Sequence, residues 1–109
     1  MIKNKKVLII EDEDAIRQML TSMLETEGVR VVASLDLKEI EQLVPQVDVV
    51  LSDYNMGLDF KAVKLLVETK GKPLLLMSGN PDAELCHSRF IPKPFAFQDM
   101  VQALSALVA

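Results

Sequence analysis

The chain has 109 residues, 50% hydrophobic and 26% charged, which fits one globular domain and leaves no room for a second. A net charge of −4 without a Lys/Arg-rich block argues against direct nucleic-acid binding, and no apolar run is long enough to span a membrane. Cys86 is the only cysteine, which excludes an internal disulfide, and the apolar run behind the basic start is too short for a signal peptide; a reducing cytoplasm is expected.

The first apolar run, residues 7–10, reads as a buried strand and ends at Glu11 and Asp12. A helix is predicted over 14–27, with Ile16, Met19, Leu20, Met23 and Leu24 on its inner face and Gly28 closing it. Residues 29–33 form a β-branched second strand. Asp36, with Glu39 three residues on, caps a short helix that carries Leu37, Ile40, Leu43 and Val44 and stops at Pro45. A third strand over 47–52 delivers Asp53 into a loop through Gly57. The helix predicted over 59–70 turns Phe60, Val63, Leu66 and Val67 inward. Pro73 opens a fourth strand that ends at Ser78, the fifth is Phe90, Ile91 and Pro92 followed by Lys93, and the last helix covers 96–108. Met19, Met23, Met77 and Met100 read as core filler. Such strand–helix alternation with near-continuous apolar strands marks an α/β, doubly wound parallel sheet covered on both faces.

Only eleven residues, Gly79 to Arg89, separate the fourth strand from the fifth. Parallel crossovers usually need about a dozen or more, so the fourth helix is expected to be shortened or missing. Cys86 and His87 fall in this segment as exposed loop residues, with no further Cys or His to complete a metal site.

In a parallel sheet the carboxyl ends of the strands share one edge, where open α/β folds place their ligands. Glu11, Asp12, Asp53, Ser78 and Lys93 all follow strands and would converge there. Two carboxylates about 5 Å apart repel by roughly 3 kcal/mol at an effective dielectric near 20, so three together call for a cation. Oxygen donors favour a hard ion such as Mg²⁺, with Asp12 and Asp53 as direct ligands and Glu11 acting through water. A carboxylate is also a competent nucleophile towards phosphorus when cations draw charge from the phosphoryl oxygens, a task open to Lys93, with Ser78 as a hydrogen-bond donor. Singly, each residue reads as a helix cap or surface group; the joint pattern carries the chemistry.

Four motifs, Val7-Leu-Ile-Ile-Glu-Asp-Glu13, Val49-Val-Leu-Ser-Asp-Tyr-Asn-Met56, Leu76-Met-Ser-Gly79 and Phe90-Ile-Pro-Lys-Pro-Phe95, make the chain resemble a receiver domain of the two-component response-regulator family over nearly its whole length. The resemblance implies a flavodoxin-like five-stranded sheet in the order 2-1-3-4-5, one receiver domain over residues 1–109, and phosphorylation of Asp53 by a histidine kinase or histidine phosphotransfer protein. It implies Mg²⁺ held by Glu11, Asp12, Asp53 and the backbone carbonyl of Asn55, and phosphoryl contacts from Ser78 and Lys93. Phe90 occupies the place of the family's switch aromatic, responding to Ser78, although an edge-strand core residue reads as well. Lys93-Pro94 matches a cis peptide of the family. Asn55 and Asn80 stand where dephosphorylation is tuned, and turns favour Asn in any case.

Two departures stand out. Gly57 replaces the proline that normally follows the methionine, which predicts a more mobile loop. The shortened crossover removes a wall from the family's output and dimer surface, so a monomer is expected. The leading expectation is a stand-alone phospho-acceptor signalling protein that is no enzyme beyond its own phosphorylation and slow dephosphorylation; the downstream target is open. The alternative is a receiver-like binding module without the chemistry. An aspartyl-phosphate hydrolase would want a second Asp where Asn55 stands, and a flavin protein a hydroxyl- and glycine-rich loop where Glu11 to Asp14 stand.

Overall fold

A computed structural model describes residues 2–54, 57–79 and 89–108. Five parallel strands, β1 (Lys6–Ile10), β2 (Arg30–Ala33), β3 (Val49–Asp53), β4 (Leu74–Ser78) and β5 (Phe90–Pro92), form one sheet in the order β2-β1-β3-β4-β5. Among the described residues there are four α-helices, α1 (Asp14–Thr26), α2 (Leu37–Leu43), α3 (Phe60–Thr69) and α4 (Phe97–Val108). The fold is the flavodoxin-like arrangement expected from the motifs. The expected truncated helix, with Asn80, Cys86 and His87, lies outside the described residues.

The period-two alternation of the strands sorts their side chains onto two faces. Val7, Ile9, Val49, Leu51, Leu75, Met77 and Ile91 join Leu20 and Leu24 of α1 and Met100, Val101 and Leu104 of α4 in one core. Leu8, Ile10, Val50, Leu74 and Leu76 join Ile40 of α2 and Phe60, Val63 and Val67 of α3 in the other. Strands β1, β3 and β4 need no polar face because helices cover both sides, and every residue of β3 and β4 is buried. Each fully buried Leu or Ile contributes about 1.5–3 kcal/mol of apolar transfer free energy, which fixes the strand register and hence which residue ends each strand.

Local signals act largely as read. The side chains of Asp36 and Asp59 accept hydrogen bonds from the amides of Lys38 and Lys61 and so cap α2 and α3. Helix α2 stops at Leu43 and tightens into a 3₁₀ turn, Val44–Gln46, that takes Pro45 within it rather than ending at it. Gly28 sits at φ +81° just beyond α1. Met19 departs from expectation: it is 52% exposed, because only Leu20 and Leu24 of α1 reach full burial against the sheet. Met77 and Met100 are core filler as expected.

Gly57 lies at φ +80°. Proline, locked near −65°, cannot adopt that backbone, so the departure from the family's proline marks a different local path after Asp53. The mobility expected of this loop turns on Asn55 and Met56, which lie outside the described residues. Among the described residues nothing lies within 4 Å of a Cβ built on Gly57, so the cost of Gly57→Ala is that of the backbone. Its expected destabilisation is about 1–2 kcal/mol in urea titrations.

Candidate functional site: an acidic cluster at the carboxyl edge of the sheet

The loop after β1 and the end of β3 deliver three acids to one place. Oxygens of Glu11, Asp12 and Asp53 lie within 4.8 Å of one another. Neighbouring strand ends place them there: Ile10 pairs in register with Ser52, the residue before Asp53. Lys93 reaches them from the end of β5. Its Nζ donates to Asp53 Oδ1 at 3.0 Å and to Glu11 Oε1 at 3.3 Å, spanning 40 and 82 residues of sequence. The Lys93 amide donates to the carbonyl of Ser78 at 2.8 Å, tying the lysine's backbone to the end of β4. The Lys93-Pro94 peptide is cis, as the motif suggested.

Burial divides the acids. Glu11 is 1% exposed and Asp53 is also buried, whereas Asp12 faces solvent. Burial raises the Glu11 pKa above the ordinary value, and the charge of Asp53 adds to the rise. Lys93 and the Glu13 amide, which donates to Glu11 Oε2, oppose it without cancelling it. For Lys93 the largest single influence, burial, acts to lower its pKa, but the hydrogen bond and charge of Asp53, with those of Glu11, outweigh it, and the net direction is up. Folding thus favours the ammonium form of Lys93 and disfavours the charged form of Glu11.

The sign for stability follows from linkage. An acid whose pKa is raised on folding opposes the fold where it is ionised, and the penalty vanishes as pH falls through its raised pKa towards 4.5. Lys93 behaves oppositely: its contribution is complete below its ordinary 10.5 and is lost as pH rises through the higher folded value. In EDTA at neutral pH, Glu11→Gln is therefore expected to raise the melting temperature, and the gain should shrink as the buffer is acidified below the raised pKa of Glu11. A melting temperature that fell at neutral pH would contradict this.

Ser78 is buried at the end of β4 and has polar partners of its own. Phe90 is half-buried and packs with the core shared by α2 and α3. It pairs in register with Leu76, two residues before Ser78, so Phe90 and Ser78 belong to the same face of the sheet. Tyr54 rests its ring against Phe60 with centroids 5.7 Å apart, fastening the start of the Asp53 loop to α3. Asn55 and Asn80, expected as metal ligand and dephosphorylation tuners, lie outside the described residues.

Two features were not anticipated. Lys93 binds Glu11 as well as Asp53, and Arg17 of α1 reaches back to the Glu11 carbonyl. A cation six residues after Glu11 and three after Asp14, one helical turn on, was the available signal for the second. Beside Lys93, an open apolar groove of about 380 Å³ is bordered by Ile16, Met19, Leu20, Pro94 and Phe95. Met19 lines this groove, which accounts for its exposure.

The three gathered carboxylates offer only hard oxygen donors, and burial with the charge of Asp53 disfavours the charged form of Glu11, a penalty that a cation would relieve. Both features suit a small divalent cation at the site.

The response regulator receiver domain family matches the chain over residues 7–105, and the chain belongs to that family. The regulatory protein VirG of Rhizobium rhizogenes is 28% identical, over 89% of this chain and 45% of VirG. The transcriptional regulatory protein YvrH of Bacillus subtilis is 31% identical, over 86% of this chain and 45% of YvrH. The chain thus spans about half the length of the curated relatives it matches. The receiver domain of the sensor histidine kinase PA1611 of Pseudomonas aeruginosa, solved with a magnesium ion coordinated in its active-site cleft, shares the fold at a TM-score of 0.81. That likeness covers 95% of this chain and 97% of the other at 19% identity. As a receiver domain of two-component systems, this is a signalling domain rather than a conventional enzyme. No helix among the described residues is long and apolar enough to cross a membrane.

Proposed function

We propose that Asp53 accepts a phosphoryl group from a phosphohistidine of a histidine kinase or phosphotransfer protein in a Mg²⁺-dependent step. The observation that carries this is the bridge of Lys93 Nζ to Asp53 and Glu11 beside a third carboxylate. An Asp53 carboxylate oxygen attacks phosphorus as the phosphorus–nitrogen bond of the donor breaks, the imidazole keeping the electron pair and gaining a proton. Lys93 holds the attacking carboxylate by one oxygen, which leaves the other free to react, and its ammonium offsets charge on the phosphoryl oxygens. Ser78, at the end of the neighbouring strand β4, would donate to one of those oxygens.

Glu11, Asp12 and Asp53 would hold Mg²⁺, completed by the Asn55 carbonyl in the family pattern. When bound, the ion neutralises the carboxylates and withdraws charge from the phosphoryl oxygens. The magnesium in the PA1611 receiver domain supports this assignment. The groove bordered by Ile16, Met19 and Phe95 gives a donor protein an apolar surface next to the acceptor. Placed on one face of the sheet, Phe90 and Ser78 would relay phosphorylation to the surface. The direct test is incubation with acetyl phosphate and Mg²⁺ followed by intact-mass measurement; absence of an adduct under donor excess would favour a binding module without the chemistry.

A further inference from the structure

Arg17 does not belong to the acid cluster, yet it is tied to it. Its side chain is 25% exposed and bridges back over the first turn of α1. Nη1 donates to the carbonyl of Glu11 at 3.3 Å, and Nη2 pairs with Asp14 Oδ1 at 2.6 Å. Among the described residues the start of α1 has its first helical hydrogen bond, from the Arg17 amide to the Glu13 carbonyl at 2.9 Å, but no side-chain cap. Glu13, at the N-cap position, makes no side-chain capping bond, and its amide has only a long contact of 3.4 Å to Glu11 Oε2. The Glu11 carbonyl belongs to the peptide that leads into Asp12. Whatever fixes that peptide plane fixes the direction in which Asp12 leaves the strand, and with it the spacing of two of the three carboxylates.

We propose that Arg17 is a positioning residue for the cation site, a reading that rests on the proposed Mg²⁺ binding. Through its planar fork, Arg17 locks the Glu11–Asp12 peptide between β1 and the first turn of α1 and presets the acids at cation-binding distance. A lysine has the charge but lacks the rigid fork that spans both acceptors. Electrostatics alone predict the opposite outcome, because a guanidinium beside an acidic site repels a divalent cation and its removal should tighten binding. The sign of the effect therefore separates positioning from charge.

The test is Mg²⁺ affinity by titration calorimetry at 25 °C, on protein shown to be folded by circular dichroism, for the unmodified chain, Arg17→Ala and Arg17→Lys. Residues that orient metal ligands typically contribute about 10–100-fold to metal affinity. Arg17→Ala is expected to weaken Mg²⁺ binding within that range, with Arg17→Lys between it and the unmodified protein. Arg17 borders an open hollow of about 210 Å³ with Ala33, Ser34 and Leu35, so water can reach the polar groups it leaves and the variant is expected to fold. Should Arg17→Ala not fold, Arg17→Lys decides alone: affinity equal to the unmodified protein overturns the inference, since the charge is kept. Binding by Arg17→Ala as tight as or tighter than the unmodified protein also overturns it and leaves the Mg²⁺ reading intact. No binding by the unmodified protein overturns both.

Discussion

With acetyl phosphate and Mg²⁺, the unmodified protein is expected to gain the mass of one phosphoryl group, and Asp53→Asn to gain none. The loss is all-or-none because an amide oxygen carries no full charge and, once attached to phosphorus, no stable acyl phosphate results. Asn keeps the shape and the capacity to accept from Lys93, so the fold should survive, which circular dichroism verifies. Glu11 is the nearby competitor for the phosphoryl group, but its acid is held by Lys93 and by the Glu13 amide at its two oxygens. An adduct that persisted in Asp53→Asn would move the acceptor away from Asp53, and EDTA should suppress the adduct in the unmodified protein.

Lys93→Met should produce two effects of opposite kind. Removing the cation leaves the buried Glu11 and Asp53 carboxylates facing each other. Loss of one partner from a fully buried pair costs about 3–5 kcal/mol, which we reduce to about 1–3 kcal/mol because the Lys93 side chain is 26% exposed. On the usual scaling for domains of this size, that is a fall in melting temperature of about 4–8 °C per kcal/mol. Mg²⁺ should restore more stability to this variant than to the unmodified protein, since a competing positive charge has gone and binding to the folded state raises its midpoint. The rate of phosphorylation should nevertheless fall, by about 10²–10³-fold, the typical consequence of removing one group that stabilises transition-state charge. Thermal melts with and without Mg²⁺, alongside time courses of adduct formation, separate the two. A normal rate in Lys93→Met would remove this lysine from the chemistry.

Much of this was legible from residue order. The alternation of apolar runs with helical periodicity defined the sheet, because strands covered on both faces leave no polar positions, as in β3 and β4. Asp36 marked a helix start that formed where expected, since capping is a contact between near neighbours and needs no tertiary information. The gathering of Glu11, Asp12, Asp53 and Lys93 was legible for a related reason: each follows or ends a strand, and parallel strands end on a common edge.

Residue order did not reach the degree of burial or the partnerships across the sheet. Met19 falls on the apolar face of α1, but how much of that face is covered depends on where β5 and its following turn lie. Glu11, read as reaching the ion only through water, is the most deeply buried of the three acids. Lys93 meets one of its oxygens and the Glu13 amide the other. Local sequence determined the elements, their caps and the chemical types gathered at the strand ends. Tertiary structure alone decided that Lys93 bridges Glu11 and Asp53 and that Arg17 grips the Glu11 carbonyl. Those contacts depend on the packing of strands and helices against one another, and hydrophobic periodicity says which side of an element is buried but not what meets it there.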